Sequence, residues 1–226
     1  MTDERWRARL TALDTGLVSD ALDRLSLAGA TYGIRPIWPC PKIVGRVMTV
    51  RTRPAGRTTA QHHLAMPAIA QANAGDVILV DNGGRLDVSG WGDILSTAAK
   101  MRGLSGAVID GACRDVDGSA AVGFPVYARG AVPMTARGRI VEESWGQPVQ
   151  CGGVAVHPGD VLIADGSGVV LIPQDRLDDV LGAAEELAAR EQAMLEAIRA
   201  GAPLLEIDQQ HAYEQMLRPN AEEPRA

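Results

Sequence analysis

The chain has 226 residues, which suits one domain with a helical extension. It is 46% hydrophobic, yet no run approaches the roughly 18 unbroken apolar residues that a membrane-crossing helix needs. Twenty-two basic against 28 acidic residues leave a net charge of −6, which argues against a nucleic-acid partner held by bulk charge. A small anion is not excluded, because one placed Arg outweighs the net charge locally. Residues 1–9 carry Asp3, Glu4, Arg5, Arg7 and Arg9 without an apolar stretch. That is no secretory signal, so the cytoplasm is the expected location and no membrane partner is expected. Cys40, Cys113 and Cys151 are far apart and odd in number, against both a disulfide framework and a structural zinc site. With 25 glycines and 13 prolines against four Trp, three Tyr and one Phe, tight turns and an aliphatic core are expected.

Trp6, Leu10 and Leu13 recur at helical spacing, and Ser19-Asp20 is placed to cap a second helix through Leu25. Residues 27–41 read as loop. Residues 43–51 (IVGRVMTVR) read as a strand, and the Ala-rich stretch 59–73 as a helix with Pro67 in its first turn or at a break. Residues 77–80 form a short apolar run ending at Asp81, which suits a buried strand. A Gly-rich loop, 82–92, then leads into a helix over 93–102 (DILSTAAKMR) closed by Gly103. A second buried strand, 107–109, is followed by the loop Asp110-Gly111-Ala112-Cys113-Arg114-Asp115. This is a βαβ-like order, with loops at the strand ends where α/β sheets usually place ligands.

Further short strands are expected over 126–136 and 149–172, and an amphipathic helix over 174–200. A last short helix is expected near 209–217, before a polar tail. Residues 74–81 (AGDVILVD) echo 158–165 (PGDVLIAD), as a recurrent strand-launching turn or as a duplicated unit.

The glycines near the helix at 93 fit neither a P-loop nor a GxGxxG pattern. They do open a helix whose free N–H groups at Ile94 and Leu95, aided by the helix dipole, suit a carboxylate. Asp93 is also placed to cap that helix. Arg114 and Asp115 are either a surface ion pair or a functional pair. As the latter, Asp115 offers an oxygen ligand for a hard divalent cation, and Arg114 a guanidinium for an anionic substrate. His62 and His63 are adjacent and point to different faces, against joint metal binding, although one could line a site. Trp91 either walls the site or packs beneath it, and Trp145 reads as an exposed loop residue. The chain has only two lysines, Lys42 and Lys100. Lys100 falls in a helix body, so a Schiff-base mechanism looks poor.

The stretch 75–118 (GDVILVDNGG…WGDILSTAAKMRGLSGAVIDGACRDVDG) resembles the family of the regulator of ribonuclease activity A (RraA) and its enzymatic relatives. Those relatives are the class II pyruvate aldolases acting on 4-hydroxy-4-methyl-2-oxoglutarate and 4-carboxy-4-hydroxy-2-oxoadipate. The similarity extends over most of residues 18–201. Asp93, Arg114 and Asp115 match the enzymes' Asp-x20-Arg-Asp pattern, whereas regulator-type members tend to lose the final Asp. Residues 51–63 depart from what those aldolases show.

The resemblance implies an α/β fold: a swivelling β/β/α layered sandwich with N-terminal helices and a long C-terminal helix. It implies a single domain over 1–226, with a core near 18–173 and a helical extension near 174–217. It implies that Asp115 binds Mg²⁺ or Mn²⁺ and that Arg114 holds the substrate keto or enolate oxygen. The backbone at Gly92, Ile94 and Leu95 would bind the pyruvyl carboxylate, and Asp93 would hydrogen-bond a water on the metal. Glu191 of a neighbouring subunit, with Glu186 or Glu196 as alternatives, would touch the metal's waters within a homotrimer or homohexamer. The implied activity is divalent-metal-dependent cleavage of a 4-hydroxy-2-oxo dicarboxylic acid to pyruvate and an oxo acid. Oxaloacetate decarboxylation is implied as a side activity. The alternatives are a non-enzymatic, protein-binding regulator and a related lyase acting on another oxo acid.

Overall fold

The computed structural model describes residues 3–211 and 217. Two helices open it, α1 (Asp3–Thr11) and α2 (Thr15–Arg24), and a two-residue strand β1 (Arg35–Pro36) follows. The long strand β2 (Ile43–Pro54) comes next, then α3 (Met66–Gln71), β3 (Val77–Ser89) and α4 (Asp93–Met101). After these come β4 (Gly106–Cys113), α5 (Val116–Ala121), β5 (Val126–Ala131) and β6 (Ile140–Trp145). Strands β7 (Val149–Cys151) and β8 (Val154–Val156) form a separate hairpin. The chain then runs through β9 (Val161–Asp165) and β10 (Gly168–Ile172) into α6 (Leu177–Arg199) and α7 (Leu204–His211).

The main sheet follows the order β1-β5-β4-β3-β2-β9-β10, with β6 also paired to β2. Strands β5, β4, β3 and β2 are mutually parallel, whereas β9, β10, β1 and β6 add antiparallel pairs. Its two ends come back together, because Ala30 bridges Val170 and Thr31 N donates to Val169 O at 3.0 Å. The result is a nearly closed, barrel-like sheet within an α/β fold.

Strand alternation sorts the apolar side chains into an inside and an outside. Val77, Leu79, Val108, Leu162, Ala164, Val169 and Leu171 face the interior cluster. Their neighbours Ile78, Val80, Ala107 and Ile109 face outward, under α3 and α4. Val161, Ile163, Val170 and Ile172 face outward on the other flank, under α1, α2 and α6. Because both faces are covered, these strands read as continuous apolar runs rather than alternating ones.

Several local expectations are corrected. Helix α2 starts at Thr15 and is capped by Asp14, whose Oδ1 accepts from Leu17 N at 2.9 Å, not by Ser19-Asp20. Thr15 is also anchored, since its N and Oγ1 both donate to Asp165, and this fixes the helix start ahead of Gly16. The helix expected over 59–73 is only the six residues of α3, with Pro67 in its first turn. The presumed Gly-rich loop is mostly strand. β3 runs on to Ser89, and two register shifts against β4 absorb the extra length. β4 likewise continues to Cys113 instead of stopping at 109. α7 lies at Leu204–His211, and most of the helix expected near 209–217 falls outside the described residues.

The sequence echo is one turn used twice. Asp76 accepts from Asn73 N at 2.8 Å and Asp160 from His157 N at 2.7 Å, each three residues back. Gly75 and Gly159 both take positive φ, 84° and 92°, and the turns launch β3 and β9. Among the described residues no helix is long and apolar enough to cross a membrane.

Candidate functional site

The parallel strands β3 and β4 deliver their following segments to the same end of the sheet. β3 leads through Gly90-Trp91-Gly92 into α4, and β4 leads through Arg114-Asp115 into α5. Two backbone hydrogen bonds lock these segments side by side: Gly90 N to Ala112 O at 2.8 Å and Arg114 N to Trp91 O at 2.9 Å. Asp93 and Arg114, with 20 residues between them in sequence, thereby line one cavity of about 270 Å³. Gly92, Asp93, Ile94, Leu95, Arg114 and Asp115 all contribute to it, so six of the seven expected site residues come together.

Gly92 is the residue before α4, in extended conformation, and no side chain caps the helix. Asp93 is therefore the first helical residue and not the cap. The opening N–H groups of α4 lack i−4 partners, and with the helix dipole such groups favour an anion; Ile94 and Leu95 both line the cavity. Asp115 sits in the left-handed region, φ 54° and ψ 45°, uncommon for a residue with a side chain. Such conformations cost of order 1–3 kcal/mol and cluster at functional sites. Its Oδ2 lies 3.0 Å from Arg114 Nε and 3.5 Å from Asp93 N. Two glycines make room: a Cβ at 92 would stand 2.7 Å from Asp115 Oδ2, and one at 118 would stand 2.8 Å from Asp93 Cβ.

A buried polar chain holds α4 and α5 in place. Trp91 Nε1 donates to Ser96 Oγ at 2.9 Å, and Ser96 Oγ lies 2.8 Å from Ser119 Oγ. Both serines are fully buried. Trp91 is also buried, stacked on Phe124 with centroids 6.2 Å apart, while still lining the cavity, so it does both things the sequence left open.

The remaining wall consists of the 60–64 loop with His62 and His63, the turn at Thr135–Arg137, and Ile140–Glu142 of β6. The sequence allowed one of the two histidines to line a site, and the structure puts both there; the 135–137 turn and β6 were not legible as site. Glu142 is nearly buried; its Oε2 accepts from Ala65 N at 2.8 Å, and its Oε1 lies 3.9 Å from His62 Nε2. Ala65 has φ 63°, so this carboxylate pins a left-handed turn. Partial burial, then the Arg137 and Arg114 charges, hold the His63 imidazole below the usual histidine range. The apolar pair Ile140-Val141 ahead of Glu142 was the available signal for this strand. Trp145 closes β6 opposite Val50, partly buried against the core, and is not an exposed loop residue.

Other candidates lie elsewhere. Glu191 lines a separate groove between α2 and α6 with Asp14, Asp20 and Met194, so within one chain it does not meet Asp115. Glu186 pairs with Arg24 at 2.9 Å, and Glu196 accepts from Gln192 at 2.7 Å. Lys42 donates to Thr11 O and Leu13 O, and Lys100 to Gly123 O, so neither lysine lines the cavity. Cys113 is buried beside the site, and burial pushes its thiol up to about 12, which makes it a packing residue and not a nucleophile.

The residues present can be weighed against the donor sets that different cations take. Among the described residues no group of three or more His, Cys, Asp or Glu side chains could cage a metal. The cavity offers the Asp115 carboxylate with Asp93 beside it, room for water and substrate, and a missing Cβ at 92 that leaves space next to Asp115 Oδ2. That fits Mg²⁺, which keeps several waters and takes one or two carboxylates, and not a closed zinc-type site.

Comparison with known proteins places the chain in a family. Residues 15–171 match the family model described as RraA-like, Aldolase/RraA. A Halalkalibacterium halodurans protein named "Putative 4-hydroxy-4-methyl-2-oxoglutarate aldolase" is 34% identical over 190 residues, 82% of this chain and 85% of its own. Protein DlpA of Legionella pneumophila is 31% identical over 198 residues, 88% of this chain, which spans only 32% of DlpA. A crystal structure of an uncharacterized protein from Pseudomonas syringae superposes with a TM-score of 0.82 at 32% identity, covering 90% of this chain and 96% of that one. The matched span contains the whole α4–α5 corner of the cavity, and the chain belongs to the RraA-like family.

Proposed function

We propose that the protein is a divalent-metal-dependent lyase that cleaves a 4-hydroxy-2-oxo acid to pyruvate and a second oxo compound. The observation that carries this reading is the meeting of the α4 N-terminus, Arg114, Asp115 and Asp93 in one cavity. The aldolase names borne by relatives support the same chemistry.

Retro-aldol cleavage breaks the C3–C4 bond. The electron pair moves onto the 2-oxo group as pyruvate enolate, and the C4 hydroxyl loses its proton to become a carbonyl. The backbone N–H groups of Ile94 and Leu95 seat the C1 carboxylate and orient the 2-oxo group toward Arg114. The Arg114 guanidinium stabilises the enolate oxygen. Asp115, with Asp93 beside it, would hold Mg²⁺ or Mn²⁺, which supplies Lewis-acid stabilisation of the same developing charge. Asp93 carries the C4 hydroxyl proton, directly or through one water, and C3 is reprotonated to give pyruvate. Buried Trp91 closes one side of the cavity against solvent. Oxaloacetate decarboxylation passes through the same enolate and is the expected side activity. Glu191 of a neighbouring copy, in a trimer or hexamer, remains our candidate for a further contact to waters at the metal.

The test is pyruvate release from a panel of 4-hydroxy-2-oxo acids, read by a coupled dehydrogenase with Mg²⁺ and with EDTA. Turnover that survives EDTA, or full activity in Asp115→Ala, overturns the reading.

A further inference from the structure

Cleavage of a 4-hydroxy-2-oxo acid needs two proton transfers, one off the C4 hydroxyl and one onto C3. On the lyase reading Asp93 serves the first. Arg114 keeps its protons at any working pH, and Asp115 is assigned to the metal. Decarboxylation of oxaloacetate releases no hydroxyl proton at all, so C3 must then draw on another donor. The cavity wall holds a pair with the right chemistry, His62 and Glu142.

Sheet register brings Glu142 to the α4 corner. Glu142 stands opposite Thr52 across β6 and β2, and directly opposed residues share a face of the sheet. Thr52 Oγ1 donates to Asn82 Oδ1 at 2.7 Å, and Asn82 Cγ lies 3.4 Å from where a Cβ on Gly90 would stand. Gly90 opens the segment that leads through Trp91 and Gly92 into α4. Ile140, two residues before Glu142 and on the same face of β6, packs in one apolar cluster with Leu64, Trp91 and Leu95. The Glu142 carboxylate, its side chain only 8% exposed, is thus held in the wall next to the start of α4.

The hydrogen bonds of the pair store a proton. His62 Nδ1 lies 3.2 Å from His63 O, and because a carbonyl only accepts, Nδ1 carries hydrogen. The other ring nitrogen, Nε2, lies 3.9 Å from Glu142 Oε1. Facing a carboxylate, Nε2 is favoured with a hydrogen of its own, which makes the ring an imidazolium. Ala65 N donates to Glu142 Oε2 at 2.8 Å and leaves Oε1 for His62. The other charged or titratable groups of the cavity are Arg114, Asp93 and Asp115 of the α4–α5 corner, Arg137 of the 135–137 turn, and His63. Partial burial and the two arginines favour neutral His63, so the ring beside the carboxylate is the charged one. The His62 side chain is 45% exposed, so solvent can recharge it.

We propose that His62 is the acid that protonates C3 of the pyruvate enolate, with Glu142 as the positioning residue that keeps the ring charged and aimed. The inference rests on the lyase reading and adds its proton donor. The enolate C2–C3 electron pair takes the Nε2 proton to form the new C3–H bond, the 2-oxo group re-forms, and the N–H electrons stay on neutral His62. Solvent returns one proton to His62, while Asp93 passes the C4 hydroxyl proton to solvent, so the cleavage cycle is proton-neutral. In reverse, neutral His62 removes a methyl proton from pyruvate.

Two readouts separate proton transfer from carbon chemistry. Deuterium exchange at the pyruvate methyl group, in D₂O with Mg²⁺ and followed by proton NMR, needs the C3 proton carrier. Oxaloacetate consumption breaks its C–C bond before that proton arrives. In His62→Asn, exchange should fall by roughly 100-fold or more, the range for a lost general acid or base, and oxaloacetate consumption should fall much less. Imidazole added to His62→Ala should restore exchange in proportion to its concentration, which a purely structural defect would not show. Glu142→Gln keeps an acceptor for Ala65 N but removes the charge, and should lower the exchange rate with little change in KM. Wild-type exchange in His62→Asn overturns the proposal, as does an equal loss of exchange and consumption that imidazole does not rescue. Wild-type protein that neither exchanges pyruvate nor cleaves any 4-hydroxy-2-oxo acid overturns the lyase reading instead.

Discussion

Gly92 and Asp115 share one small space: a Cβ at position 92 would stand 2.7 Å from Asp115 Oδ2. The φ of Gly92 is −155°, extended backbone open to any residue, so glycine is required here for contact and not for conformation. The Asp115 side chain is short and its Oδ2 is tied to Arg114, so it has little room to yield. Gly92→Ala should therefore fold normally yet push the carboxylate aside. Misplacing a catalytic group by about 1 Å can cost 10²-fold in rate, so a 10- to 100-fold loss in kcat/KM is expected. The Mg²⁺ concentration for half-maximal activity should rise with it. Wild-type kinetics in Gly92→Ala would show that this space is not the metal's.

Asp115 itself separates charge from conformation. Its backbone is left-handed, a region that Asn and Asp populate far more readily than Ala. Asp115→Asn keeps the turn and removes the charge, whereas Asp115→Ala removes both. Activity should be lost in both variants. Thermal denaturation should place the alanine variant about 1 kcal/mol below the asparagine variant. Equal stabilities would mean that the side chain contributes nothing to holding the turn.

The Trp91–Ser96–Ser119 chain predicts a coupled loss of stability and geometry. Ser96→Ala leaves the buried Trp91 Nε1 without its acceptor and Ser119 Oγ without its neighbour. An orphaned buried donor costs about 1–3 kcal/mol. Ser96 and Ser119 link two helices, one beginning at Asp93 and the other directly after Asp115. The variant should thus lose stability in chemical denaturation, lose kcat, and show altered Trp fluorescence. A stability loss with unchanged kcat would confine the chain to a structural role.

What the sequence made legible follows from where the information sits. The pair Arg114-Asp115 and the helix start at Gly92 to Leu95 are local patterns, each set by a strand end and the residues after it. Parallel pairing of β3 with β4 then brings them together. The barrel-like closure was not readable, because it depends on Ala30 meeting Val170, 140 residues away. Arg137 and Glu142 escaped for the same reason. They reach the cavity because β6 pairs with the far end of β2, as in Thr52 with Glu142, and nothing local announces that register. The α2 start was misplaced because Asp14 caps it while Thr15 is held by Asp165, a contact 150 residues apart.

Glu142 invites a graded pair of substitutions. Its Oε2 satisfies the N–H of buried Ala65, whose left-handed turn sets the loop carrying His62 and His63. Glu142→Gln retains an acceptor oxygen and should lose less than about 1 kcal/mol. Glu142→Ala orphans the N–H and should lose about 1–3 kcal/mol. Thermal melts of the two variants check the order. If they are equally stable, the Ala65 N–H finds another acceptor and the loop is not pinned by this carboxylate.

Acid stability should report the join between the first and sixth helices. Arg9 Nε donates to Glu185 Oε1 at 2.7 Å, and Arg9 Nη2 to Glu185 Oε2 at 2.8 Å, a two-pronged pair between α1 and α6. The Arg9 hydrogen bond holds the Glu185 carboxyl below the ordinary glutamate value of about 4.3. In the unfolded chain that carboxyl has its ordinary value, so near pH 4 the unfolded state binds more protons than the folded one. Stability then rises with pH across that window. The contribution is complete above the ordinary value and is lost as pH falls through the depressed folded one. Both side chains are partly exposed, at 29% and 42%, so solvent screening keeps the pair to less than about 1 kcal/mol. Wild type should exceed Glu185→Gln in stability at pH 7, and the gap should close between about pH 5 and pH 3. Urea denaturation at those pH values measures it. A gap that persists at pH 3 would trace the difference to packing of the side chain rather than to its charge.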